Sequence, residues 1–188
     1  MSNMWAWIKD FLLELEDSFT IKRDTISLDY TTNLVLKTPP NMPLEASQTN
    51  ANALKLYNTA KGCLGQRMTL NYSVPAEVGC AEAVSAVLRT DGISVPSKGI
   101  AGTSNLLTWL KANPLFQEIT TPDQGCIIIS ATGTGNGKIV GHVGIVGLHG
   151  IMSNDSNTGL FLELWTLDKW DTYYHIYGGI PTRFFALK

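Results

Sequence analysis

Three residues in this chain have the types and the spacing for nucleophilic acyl chemistry: Cys80, His142 and Asn154. Val84, Val87 and Leu88 in SVPAEVGCAEAVSAVLR share a helical face, so the segment predicts a helix that begins near Cys80 and stops at Gly92. A cysteine at a helix start faces unpaired N–H groups and the positive end of the dipole. Both favour the thiolate and are expected to bring its pKa into the range of roughly 3.5–7.5. His142 lies in the strand-like run Ile139-Val-Gly-His-Val-Gly-Ile-Val146, where Gly141 and Gly144 are expected to leave room around the imidazole. Asn154 falls in the next strand, Ile151–Asn154, beyond the turn Gly147-Leu-His-Gly150, so a hairpin would bring its amide near the imidazole. Nucleophile, base and polar orienter then follow the logic of a Cys-His-polar triad. Each residue also has a plainer reading: free cysteine is a commonly buried small hydrophobe, and a strand histidine is more often a satisfied packing residue.

The elements that must position these groups follow from periodicity. Asn52 to Lys61 reads as a helix ended by Gly62, and a further helix is expected from about Ser104 to Lys111. After Pro122-Asp-Gln-Gly125 the pattern turns to strands: Cys126–Ser130, Ile139–Leu148, Ile151–Asn154, Leu160–Leu164 and Phe184–Leu187. Helices followed by an antiparallel sheet make an α+β domain, expected over residues 51–188. Residues 1–50 read as a separate appendage. Met4, Ile8, Phe11, Leu12, Leu15 and Phe19 define an amphipathic helix over 4–17, Thr25–Tyr30 alternates like a short strand, and Pro39, Pro40 and Pro43 mark a linker.

Composition narrows the function classes. The 188 residues carry 14 Lys and Arg against 16 Asp and Glu, a net charge of -2, which lacks the basic excess of a nucleic-acid binder. The appendage holds a net of -3 and the rest a net of +1. No apolar run approaches the roughly 20 residues of a membrane-spanning helix. The start MSNMWAWIKDFLLELEDSF does not read as a secretory signal, because Lys9 and Asp10 interrupt it and acids follow. Cys63, Cys80 and Cys126 are an odd number with no C-x-x-C pair, so neither a disulfide framework nor a zinc knuckle is expected. No metal and no cofactor is implied.

Three segments in order carry a resemblance: Val78-Gly-Cys-Ala-Glu-Ala-Val-Ser-Ala-Val-Leu88, Thr121-Pro-Asp-Gln-Gly-Cys-Ile-Ile-Ile-Ser130 and Gly141-His-Val-Gly-Ile145, with Gly102-Thr-Ser-Asn-Leu-Leu107 between the first two. Together they resemble the NlpC/P60 and CHAP superfamily of papain-like cysteine peptidases and amidases that act on bacterial cell walls. The resemblance covers about residues 51–188. It implies a papain-like fold with N-terminal helices packed on an antiparallel sheet, Cys80 as nucleophile and His142 as base. The third polar group of NlpC/P60 members lies a dozen positions after the histidine, which is Asn154 here; the later CHAP position points instead to Asp155 or Glu163. Tyr72, eight residues before Cys80, is the nearest counterpart of the family's upstream tyrosine. Cys126 stands where the family usually has Asp in its Gly-Asp turn.

The activity so implied is hydrolysis of a peptide or amide bond of the peptidoglycan stem peptide through an acyl-enzyme, as by a phage endolysin or virion-associated lysin. Such a protein would act from a virion, or from the host cytoplasm with release to the wall. Residues 4–19 would then pack on the domain or dock on a virion or tail protein. A non-catalytic structural module of a phage particle on the same fold is the alternative. Elsewhere, Gly133-Thr-Gly-Asn-Gly-Lys138 departs from the Walker pattern at Thr132 and Ile139 and reads as a hairpin loop. His149 and His175 read as turn and surface residues. Trp165, Trp170, Tyr173, Tyr174 and Tyr177 read as aromatics closing the core of a small sheet domain, or as a glycan-stacking patch.

Overall fold

The computed structural model describes residues 51–69, 75 and 78–188. The helix expected at 4–17, the strand at 25–30, the Pro39–Pro43 linker and Tyr72 lie outside the described residues.

Three helices precede the sheet. α1 (Ala51–Gly62) buries Ala53, Leu56, Tyr57 and Ala60, one stripe at helical spacing. α2 (Cys80–Thr90) is enclosed almost all round, with every residue from Cys80 to Leu88 buried. Ala81, Ala83 and Ala86 keep it slim enough to pack between α1 and the sheet. Its end is a Schellman turn: Gly92, at φ +91°, donates its N–H to Arg89 O, and Ile93 N–H reaches Leu88 O at 2.9 Å. Asp91 fixes that end to α1, accepting from Thr59 Oγ1 at 2.6 Å and pairing with Lys55 Nζ at 3.4 Å. α3 (Thr103–Ala112) buries Leu106 and Leu110.

The sheet has six strands: β1 (Phe116–Ile119), β2 (Ile127–Ser130), β3 (His142–Val146), β4 (Ile151–Asn154), β5 (Phe161–Trp165) and β6 (Thr182–Leu187). Their order is β1-β6-β2-β3-β4-β5 and every pairing is antiparallel. It is an open α+β sheet, with the last strand inserted between the first two. β2 reads Ile-Ile-Ile without alternation because both its faces are covered. Ile127 and Ile129 join the helix-side core with Val84, Val87, Leu88, Val143, Ile145 and Met152. Ile128 faces the other side with Cys126, Val146, Ile151, Trp170, Tyr174 and Ile180. That second layer is built by a short helix, α4 (Leu167–Trp170), running into a π-helical stretch, Asp171–Tyr177.

The structure departs from the periodicity reading in three places. β3 starts at His142 rather than Ile139, because Gly141 is held against the end of β2: its N–H donates to Thr132 Oγ1 at 2.8 Å. β1 is a short strand at the sheet edge whose Gln117 and Glu118 stay exposed, so it carries little apolar signal. The stretch 167–177 is helical, its aromatics facing the sheet at positions 170 and 174.

Candidate functional site

Cys80 is the first residue of α2, and its N-cap, Gly79, has no side chain to occupy the open N–H groups. The backbone N–H groups of Ala81, of Cys80 itself and of Val143 reach the sulfur. Val143 follows His142 directly, so the helix start abuts the beginning of β3. The thiol is only 6% exposed. Burial pushes its pKa up to about 11, the three N–H groups opposing that rise without overcoming it. The depressed thiolate expected from helix position alone is therefore corrected: desolvation outweighs the helix end in this closed arrangement. Cys63 and Cys126 are also free and buried, and burial raises both, Cys126 to about 12. Cys126, where the family has Asp, packs in the second core layer.

His142 opens β3 opposite Ser130 of β2. His142 is half-buried, and desolvation of its ring lowers its pKa to about 4, with Asp155 pulling in the opposite direction. At neutral pH Cys80 is thus a thiol and His142 a neutral imidazole. Gly141 and Gly144 do not leave space for a ligand. A Cβ on Gly141 would strike the backbone at Ser130 O and Thr132 N, and one on Gly144 would meet Ile151 and Met152 O. These glycines let β3 lie close to its neighbours.

The candidates for the third group separate clearly. Ile145 pairs with Met152 and Val146 with Ile151. Continuing that register sets Asp155 opposite His142 and Asn154 opposite Val143. Asn154 is 2% exposed at the end of β4, its Nδ2 3.5 Å from Asp155 O. Asp155 supplies the charge that acts on the imidazole. Its carboxylate is steadied by Thr158, whose N–H and Oγ1–H donate to Oδ2 at 3.0 and 2.7 Å. Glu163 is not brought to this place. Its Oε1 accepts from His149 N and Gly150 N, both at 2.9 Å, so it caps the β3–β4 turn at the far end of β3. Four residues of strand, about 13 Å, separate that turn from His142.

His149 is exposed in the β3–β4 turn, and His175 is exposed with Nδ1 3.0 Å from Asp171 Oδ1. A shallow depression of about 170 Å³ also lies at that turn, lined by Val146, His149, Thr166 and Asp168 among others, away from Cys80. Among the described residues no three His, Cys, Asp or Glu side chains converge as a metal set would.

Sequence reasoning placed Trp170 and Tyr174 in a sheet core, which they form, but missed that they cover the imidazole. The His142 ring lies 5.4 Å from Trp170 and 6.0 Å from Tyr174, nearly parallel to the latter at 14°. Their four-residue spacing on a helical face was the available signal. A scan against models of known protein families finds no match to this chain, and a search of curated proteins finds none either.

Proposed function

We propose that this protein is a cysteine hydrolase of the papain-like NlpC/P60 and CHAP type that cleaves a peptide or amide bond of the peptidoglycan stem peptide. The observation that carries the reading is the meeting of the α2 start with the β3 start, where Val143 N–H reaches the Cys80 sulfur one residue after His142. As Cys80 Sγ attacks the carbonyl carbon, its proton passes to His142. The oxyanion forms beside the Cys80 N–H, a donor of the kind worth about 3 kcal/mol to a transition state. The imidazolium protonates the departing amine and leaves a thioester. His142 then takes a proton from water, whose oxygen displaces Cys80, and the proton returns to sulfur. Asn154 and Asp155 are the groups available to orient the imidazole. The motif resemblance supports the wall substrate and a phage lysin acting from a virion or after release from the host cytoplasm. Docking to a virion protein through residues 4–19 belongs to the same proposal.

The closed site favours a second reading. A thiol held near 11 and an imidazole held near 4 also suit a packed, non-catalytic module of a phage particle. Purified peptidoglycan separates the two. The enzyme releases new muropeptide fragments, read by mass spectrometry, and Cys80→Ala does not; a structural module leaves the wall intact in both forms.

A further inference from the structure

We propose that Trp170 and Tyr174 are positioning residues that clamp the His142 imidazole from the face of the sheet opposite the helices. This rests on the reading of Cys80 and His142 as the reacting pair. Trp170 is fully buried and donates its Nε1–H to Ser130 Oγ at 3.0 Å. Ser130 is the residue paired with His142 across β2 and β3, and its hydroxyl also meets Thr182 Oγ1 at 3.2 Å. The indole is therefore tied to the strand beside the imidazole it covers. Tyr174 packs on that indole at 4.6 Å and stacks on the imidazole.

The backbone beneath is built for this placement. The chain passes from α to π winding between Trp170 and Tyr174, and such widened turns recur at functional sites. Gly178 N–H closes the π segment on Tyr173 O at 3.1 Å. The Ile139 side chain, three residues ahead of His142, fills the space where a Gly178 Cβ would stand. The same segment thus grips the entry to β3 and one face of the ring that opens it. The titratable groups facing His142 are Asp155 beyond β4 and Tyr174 from the π segment, and Cys80 of α2 acts in turn on Tyr174. Removing the clamp should admit water to the imidazole.

The test is an NMR titration of the labelled histidine rings in the full chain, with peptidoglycan turnover measured in parallel. Tyr174→Phe keeps the ring and is expected to leave the His142 midpoint unchanged. Tyr174→Ala is expected to raise it by about one pH unit or more, toward the ordinary histidine value. Its kcat on purified peptidoglycan should fall by about tenfold or more, with the acidic limb displaced the same way. Trp170→Phe keeps a ring but loses the bond to Ser130. It should shift the His142 resonances and lower kcat with KM unchanged, and it decides the matter if Tyr174→Ala does not fold. An unmoved His142 midpoint in folded Tyr174→Ala, or unmoved His142 resonances in folded Trp170→Phe, overturns the clamp. A wild type that moves as expected in the titration but turns over no peptidoglycan fails the enzymatic reading instead.

Discussion

At the scale of single residues, the site is defined by two opposed displacements, a thiol raised to about 11 and an imidazole lowered to about 4, both by burial. The first predicts an alkylation profile. Between pH 6 and 9 the iodoacetamide rate at Cys80 should climb about tenfold per unit, following the thiolate fraction. A plateau already present at pH 6 would reveal an ion pair instead. The second predicts a stability profile. An unfolded histidine titrates near 6.5, above the folded value, so the unfolded chain binds more protons between about 6.5 and 4. The stabilisation from neutral His142 is fully present above about 6.5 and drains away as pH falls toward 4, by up to about 3 kcal/mol. Denaturant melts across that window should show the loss in wild type and a flatter curve in His142→Gln. Catalytically, His142→Ala should cost roughly 10²-fold or more while His149→Ala and His175→Ala cost little. Between the orienters, Asp155→Asn should cost more than Asn154→Ala, because Asp155 is the group whose charge acts on the ring. The reverse order would return the role to Asn154. Residue type and spacing single out Cys80, His142 and Asn154, and the family resemblance adds Asp155. The protonation states were not legible, because they depend on burial that no local pattern encodes.

At the scale of elements, the sequence signals that succeeded were local ones. Gly92 announced the end of α2, the Gly-bounded run announced β3, and Ile151–Asn154 came out as read. What escaped was set by tertiary partners. β1 exists because β6 returns to pair with it, Phe116 opposite Leu187, and nothing within residues 116–119 says so. The helical winding at 167–177 is held by aromatics packing on Ser130 and Ile128, distant in sequence. One junction gives a direct mutational check. Gly125, at φ +84°, leads into β2, and a Cβ there would run into the Ala53 carbonyl of α1. Gly125→Ala therefore meets both a left-handed backbone and a backbone collision. It should destabilise the fold by about 2 kcal/mol or more in urea unfolding, whereas Gly133→Ala, at φ +83° but in open space, should cost less.

At the scale of the whole molecule, the described residues form one sheet covered on both faces, with the first turn of α2 at Cys80 touching the start of β3 at Val143. Among the described residues no helix is long and apolar enough to cross a membrane. The order of elements was what made the α+β class legible: helices first, then a run of strands. The central claim is that Cys80 forms a covalent acyl intermediate with a wall-derived peptide. It is tested most directly by acid-quenching the full-length protein during turnover of purified stem-peptide fragments and reading intact and peptide masses. The account predicts an added acyl mass on the fragment that contains Cys80, absent from Cys80→Ala, which also releases no product. Undiminished product release by Cys80→Ala would contradict it.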